Sequence, residues 1–530
     1  MAEIFLILYH AKQKITGILL DDLKNHKFLK TVTPLVLFVY LIINGVLGVK
    51  FGNHWDEWLF IAPAIESLNS GVFLPHSYIY PSFCYYIVLA AAGVYKIIFG
   101  INDATTLVSD NNFYHFVRCI FIFISSLTVI WVYLLTAKIT KNYFSSLIAG
   151  LIICSSFEFS YHSRWAVSDC IAVQFVTLST LILFLNISTR NKIIFSSLVA
   201  GIAAGTKYTG GIAFISVLIF ILNEISFKKV NLKTAAGHII YMIFFLLTGF
   251  LITTPGAVLE YDILKDNMIF QNNVYSNGHY GHTVEAGFSH LIKISEYVMF
   301  ALFSKNPLIS MLIFLLAFTG IASILIRKKW YLSGLFATML IYVVYVSSFN
   351  VMIVRNLLYI LPFFAVLAAI GFDYLSNIIQ NFKPGYIFRV FISLMLIYSC
   401  TQVIAATLTI KNKSRVNIAR ELEKYMKASN DREFILSSKV SSRLKVPKST
   451  NIDPSENSYL VFYKSEVPFQ LYTANKRDQF TEIIGIKDIN FDYYPTWCGE
   501  DRIIVLKYYD ASEDILYCTL KKLYPENITY

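Results

Sequence analysis

The first apolar run of the chain, about residues 31–49, is followed by His54-Trp55-Asp56-Glu57, which sets two adjacent carboxylates where the polypeptide leaves the bilayer. Acidic side chains at a membrane edge are costly to desolvate and mark substrate or ion sites. A carboxylate within hydrogen-bond reach of a hydroxyl can take its proton as the oxygen attacks, so Asp56 and Glu57 are candidate general bases. The alternative is a solvated acidic pair in a loop beside the membrane. Trp55, Trp58 and a later Tyr78-Ile79-Tyr80-Pro81 turn add amphipathic rings, which suit a site at the water–lipid boundary. The substrate such a site fits has a polar head and an apolar tail.

Other isolated charges stand at helix ends. Arg164-Trp165-Ala166-Val167-Ser168-Asp169 forms a short turn between two apolar spans, where Asp169 either caps a helix or supplies a further acid. Gly201-x-x-x-Gly205-Thr206-Lys207-Tyr208-Thr209-Gly210-Gly211 puts a cation among glycines at a helix break. The glycines can serve close helix packing alone, but a lone lysine there needs an anion, and a lipid phosphate would satisfy it. The spacing is not that of a nucleotide-binding Walker loop. In Asn277-Gly278-His279-Tyr280-Gly281-His282, the two histidines can bind a metal or a phosphate, or merely occupy a loop. Arg118 and Arg355 open apolar spans, placed either to snorkel to head groups or to pair with a phosphate.

The elements that must hold these residues are membrane helices. Of 530 residues, 56% are hydrophobic and 15% charged, against about a quarter charged in a soluble chain. The mean hydropathy is +0.56. The net charge of +11 does not point to nucleic acid, because most Lys and Arg lie in short loops between apolar runs and set orientation. Seven cysteines show no CxxC spacing, and Cys498 and Cys518 are free to pair if their region faces an oxidising compartment. Residues 1–30 read as an amphipathic, Lys-bearing segment on the cytoplasmic surface and not as a cleavable signal.

Apolar runs recur at about 31–49, 114–136, 144–161, 169–187, 236–253, 307–326, 331–348, 356–376 and 388–409, with a broken pair over 193–226. If 83–99 lies along the membrane instead of crossing it, the loops holding Lys138, Arg190, Lys228 and Lys328 share one side with the Lys-rich N-terminus. By the positive-inside rule that side is the cytoplasm. The expectation is a mainly α polytopic membrane protein of about eleven spans. Its transmembrane domain covers 31–410, with a first external loop at about 50–113 and another over 254–306. Residues 411–530 are expected to form a small external α/β domain, with a helix from Ser414 and strands at 433–437, 459–463 and 502–508. All the candidate site residues then fall at or near the external face.

The ordered set resembles the integral-membrane glycosyltransferases of the C-type (GT-C) fold, closest to the protein O-mannosyltransferase and lipid A aminoarabinose transferase superfamily. The residues that carry the likeness are Asp56-Glu57, the Tyr80-Pro81 turn, Arg118, the Arg164-to-Asp169 turn, the Thr206-Lys207-Tyr208-Thr209-Gly210 break and Arg355 to Pro362. The resemblance implies inverting transfer of a sugar from a polyprenyl-phosphate carrier to a hydroxyl of a lipid, glycan or protein outside the cytoplasm, with a bacterial plasma membrane as the expected setting. It implies Asp56 as catalytic base, Glu57 as its neighbour and Asp169 as the second acidic position. Arg118, Lys207, Tyr208 and Arg355, with Tyr80, His279 and His282, are the expected substrate and phosphate contacts. Aminoarabinose transferases carry a lysine where Tyr80 precedes Pro81, so the donor phosphate must take its cation elsewhere. The Trp-Trp-Asp mark of asparagine-linked oligosaccharyltransferases is absent. No cofactor is required, and a divalent metal at the acidic positions is allowed. The rival class is a transporter or flippase for lipid-linked sugars or small solutes, which would more often show internal repeats and charge at the bilayer midplane.

Overall fold

The computed structural model describes residues 27–50, 54–278, 282–379 and 384–412, with the short pieces 426–427, 433–436, 458–463, 482–484 and 503–507. The N-terminal segment up to residue 26, His279, the start of the helix expected from Ser414, Cys498 and Cys518 lie outside the described residues. The chain divides into two units, one of residues 1–46, 54–278 and 284–403, the other of 47–53, 279–283 and 404–530.

The first unit is helical. Its early elements are α1 (Lys27–Leu47), α2 (Trp58–Ser70), α3 (Phe83–Phe99), α4 (Asn111–Thr140), α5 (Tyr143–Ser155), α6 (Phe157–His162) and α7 (Ser168–Leu183). Next come α8 (Thr189–Thr206), α9 (Ala213–Ser226), α10 (Leu232–Thr253), α11 (Gly256–Leu259), α12 (Tyr261–Asn277) and α13 (Phe288–Phe300). The series ends with α14 (Pro307–Ile326), α15 (Ser333–Ser347), α16 (Leu361–Ile379) and α17 (Pro384–Asn412), whose last residues enter the second unit. Among the described residues, eight helices are long and apolar enough to cross a membrane, while α3, α5 and α7 are apolar but shorter.

Local sequence signals set the helix ends. Asp110 caps α4 by accepting from Asn112 N, Asn142 caps α5 by accepting from Phe144 N and Ser145 N, and Asn306 caps α14 ahead of Pro307. Gly71 and Gly100 close α2 and α3 in the left-handed region, at φ 75° and 62°. Helices α7 and α16 are almost wholly buried, so they form the centre of the bundle. Helices α8 and α10 cross backbone to backbone, since a Cβ at Gly201 would meet the Leu246 carbonyl and one at Gly205 the Thr253 side chain.

The expected break within 193–226 is present. Helix α8 stops at Thr206, Lys207 is extended (φ −152°, ψ 134°), and a 3₁₀ turn over Tyr208–Ile212 leads into α9. The segment 254–306, expected as a long loop, instead carries α11, α12 and α13. Helix α12 was hidden because it is polar and buries only Leu264 among its residues, so it shows no apolar stripe to read.

The second unit contains a four-stranded sheet in the order β1-β2-β4-β3, from β1 (Glu433–Leu436), β2 (Ser458–Tyr463), β3 (Glu482–Ile484) and β4 (Ile503–Lys507). β1 pairs with β2 in parallel, and β4 runs antiparallel to both β2 and β3, with Phe462 opposite Ile504. Strands occur at each of the three expected positions. β3 was not foreseen, since three residues are too few to display a period of two.

Candidate active site

Residues 54–57 fold into a tight 3₁₀ turn directly before α2. Asp56 N donates to His54 Nδ1 at 3.1 Å, and His54 N donates to Glu57 Oε2 at 3.2 Å, so the histidine and the second acid hold the turn. Glu57 points into the protein. Arg118 Nε donates to its Oε1 at 2.7 Å, Arg118 Nη2 bonds Oε2, and Ala166 N donates to Oε1 at 2.9 Å. The Arg118 guanidinium lies 4.6 Å from the centre of the Trp165 ring. Glu57 and Arg118 are both 1% exposed, which makes them a bolt joining this turn, α4 and the turn before α7. Burial pushes the Glu57 carboxyl up, but Arg118 and the Ala166 amide outweigh it and hold its pKa below the usual range.

Asp56 turns the other way. Its Oδ2 lies 2.6 Å from Arg355 Nη2 and accepts from Tyr80 OH at 2.8 Å. Burial raises its pKa, while the Arg355 guanidinium and the Tyr80 hydrogen bond lower it by more, so the carboxyl stays ionised below its ordinary value. The Tyr80 phenol is pushed well up by burial and by Asp56. Arg355 Nη1 lies 3.0 Å from His54 Nε2. Burial, aided by Arg355, depresses the His54 imidazole to about 3, so it is neutral at physiological pH.

Asp169, in the first turn of α7, sits behind this pair. Arg355 Nε is 3.9 Å from its Oδ2, and Lys207 Nζ is 2.5 Å from its Oδ1. Lys207 also donates to Asn356 Oδ1 at 2.7 Å. Asn356 is fixed in turn, donating from Nδ2 to Tyr275 OH at 3.0 Å while its carbonyl accepts from Tyr342 OH at 2.6 Å. The outcome is an alternating row, Asp56–Arg355–Asp169–Lys207, in which each buried charge has an opposite neighbour.

Beside the row lies a cavity of about 230 Å³ reached by Tyr80, Lys207, Tyr208, Tyr275 and Asn356. A second, apolar cavity of about 460 Å³ shares Tyr208, Thr209, Tyr342 and Tyr345 with it and runs along Phe214, Leu246 and Phe250. Tyr208 OH donates to the Tyr78 carbonyl at 2.8 Å, which ties the helix break to the first loop.

Of the residues singled out in the sequence, Asp56, Tyr80, Asp169, Lys207 and Arg355 come together, and Tyr208 stands on the wall between the two cavities. Glu57 and Arg118 adjoin the site through the shared turn but face each other. His282 lies in the second unit. Sequence reading passed over His54, Asn356 and Tyr275. The first two are chain neighbours of Asp56 and Arg355, which was the available signal; Tyr275 lies on the unforeseen helix α12 and gave none. A divalent metal does not fit this row: Asp56 and Asp169 already carry Arg355 and Lys207, and among the described residues no three His, Cys, Asp or Glu side chains gather as a ligand set.

Residues 29–261 match the family described as dolichyl-phosphate-mannose-protein mannosyltransferase. No curated protein sequence matches the chain. Among solved structures, ArnT from Cupriavidus metallidurans bound to undecaprenyl phosphate is 11% identical, with a TM-score of 0.50 over 91% of this chain and 99% of that one. The Archaeoglobus fulgidus oligosaccharyltransferase in its apo form is 13% identical, with a TM-score of 0.51 over 85% of this chain and 71% of that one. The archaeal oligosaccharyltransferase AglB from the same organism, in complex with an inhibitory peptide and a dolichol-phosphate, is 13% identical, with a TM-score of 0.50 over 79% and 63%. The chain is a multi-pass integral membrane protein with the C-type glycosyltransferase fold, and over residues 29–261 it matches the protein mannosyltransferase family.

Proposed function

We propose that this protein transfers a sugar from a polyprenyl-phosphate carrier to a hydroxyl of an extracytoplasmic lipid, glycan or protein, with inversion at the anomeric carbon. The observation that carries the reading is Lys207, the one charged side chain among the described residues lining a largely apolar cavity, which shares lining residues with a second apolar cavity. An ammonium has three N–H donors. Asp169 and Asn356 take two of them, which leaves one for a phosphate oxygen in the cavity. A polyprenyl tail fits the apolar neighbour, with Tyr208 at the junction. The relatives bound to undecaprenyl phosphate and dolichol-phosphate lend support to a lipid-phosphate ligand.

In this mechanism Asp56 accepts the acceptor's proton as the new carbon–oxygen bond forms, and the bond from the anomeric carbon to the phosphate oxygen breaks with its electrons going to the phosphate. Lys207 meets the charge that grows on that oxygen. Arg355 keeps Asp56 ionised and aimed, and Tyr80 fixes one of its lone pairs. Glu57 and Arg118 position the turn and touch no reacting atom. Because the base is strongly stabilised as an anion, it takes the proton late, as the attacking oxygen becomes acidic in the transition state.

The test uses purified protein in vesicles containing polyprenyl phosphate with a labelled sugar, and envelope fractions as acceptor. Label moving onto an acceptor, together with release of polyprenyl phosphate, is the expected result. Label that crosses the membrane still attached to its lipid would contradict transfer and favour the transporter class.

A further inference from the structure

Four residues of α12, Met268, Gln271, Asn272 and Tyr275, line the cavity beside Lys207 at the i, i+3, i+4, i+7 spacing of a single helix face. The helix is pinned on both sides of that face. Asn267 Oδ1 accepts from Tyr78 N at 2.8 Å, and the Tyr275 carbonyl accepts from Asn350 N at 2.9 Å. The Tyr275 hydroxyl accepts from the same Asn356 that holds Lys207. Thus the two amides are set at a fixed place relative to the cation.

The side-chain amides of Gln271 and Asn272 make no hydrogen bond with any described residue. An amide carries both donors and acceptors; Gln271 is half-buried and Asn272 exposed, so both amides are open to a ligand in the cavity, which would replace the water on them. Much of the remaining wall is aromatic, including Tyr80, Tyr208, Tyr342 and Tyr345, with Ile79, Val346 and Val351 beside them. Among the described lining residues, Lys207 is the sole charged side chain. The two nearby carboxylates are already matched by Arg355 and Lys207.

We propose that Gln271 and Asn272 select the donor sugar, reading the hydroxyls of an uncharged ring and discriminating against one that bears an ammonium group. This rests on the lipid-linked donor reading above. Paired amides match a ring edge that alternates donors and acceptors, and tyrosine faces pack on its C–H surface. An ammonium in the same place would find no unpaired carboxylate and would sit near Lys207, a cost that neutral hydroxyls avoid.

The experiment measures binding of three probes to the full-length protein in lipid nanodiscs: polyprenyl phosphate alone, polyprenyl-phosphate mannose, and polyprenyl phosphate carrying a 4-amino-4-deoxy sugar. Wild type is expected to prefer the mannose probe over the amino-sugar probe by about tenfold or more, the scale of one mismatched polar group in a binding site. Gln271→Leu and Asn272→Leu should each lose about tenfold for the mannose probe while binding bare polyprenyl phosphate as wild type does, which also shows that the variants are folded. Asn272→Asp should narrow or invert the preference. Equal binding of both sugar probes by wild type, or unaltered mannose binding in both leucine variants, would overturn the selection while leaving the lipid-phosphate reading intact. Failure of all three probes to bind would remove that reading and this one together.

Discussion

Arg355 reaches Asp56 through Nη2 at 2.6 Å while its Nε lies 3.9 Å from Asp169, so one guanidinium serves two carboxylates that arrive from the ends of different helices. A planar fork can do this, and a lysine ammonium cannot reach both acids at once. Arg355→Lys is therefore expected to lower transfer by about tenfold or more. With the second carboxylate less well compensated, the acid limb of the pH–rate profile should also move to higher pH, because a like charge nearby raises a carboxyl pKa. Steady-state rates across pH check both effects, and an unchanged profile in Arg355→Lys would show that the bridge is dispensable.

The Glu57–Arg118 pair should behave differently from Asp56. Removing one partner of a buried, bidentate pair strands the other charge, at a cost of about 3–5 kcal/mol. Glu57→Gln and Arg118→Ala are thus expected to lower the unfolding temperature of the purified protein and to reduce its recovery from the membrane. Any loss of turnover should scale with that instability. A variant that unfolds like wild type yet has lost activity selectively would give Glu57 a chemical role instead.

His54 makes stability depend on acidity. Its imidazole falls from an ordinary value near 6.5 to about 3 in the folded protein, so between these two values the unfolded chain binds the extra proton. The stability that comes from keeping His54 neutral is complete above about pH 6.5 and drains away as pH falls from there towards the folded value. His290 is shifted in the same direction by its burial and contributes to the same slope. Asp56 and Glu57, held below their ordinary values, add a loss that begins only near pH 4. Unfolding midpoints from pH 8 to pH 5 should fall for wild type and fall less steeply for His54→Gln. Parallel slopes would mean that His54 is solvated in the working protein.

Much of this arrangement could be read before any coordinates. The helix break at Lys207 showed in its glycines, and the apolar runs marked the helices, since both signals come from local chemistry that tertiary packing leaves unchanged. Of the residues singled out in the sequence, Asp56, Asp169, Lys207 and Arg355 stood out as isolated charges at apolar-span ends and come together with Tyr80. Their pairing was not legible. Nothing in the spacing says that Arg355 turns to Asp56 while Arg118, equally placed at a span end, turns to Glu57, because that choice is made by how α4, α7 and the 3₁₀ turn before α16 pack. Helix α12 stayed hidden for a related reason. It covers a cavity and not a core, so the residues that matter on it are amides and a tyrosine, which leave no hydrophobic period.

The central claim is that Asp56 removes the acceptor's proton, and Asp56→Asn tests it most directly. The substitution keeps the shape of the side chain and its place beside Tyr80 and Arg355 but removes the anionic oxygen. Transfer of labelled sugar from polyprenyl phosphate by the purified variant is expected to drop by about a hundredfold or more, the scale of a positioned general base. Binding of bare polyprenyl phosphate should be unaffected. Turnover close to wild type in Asp56→Asn would contradict the assignment.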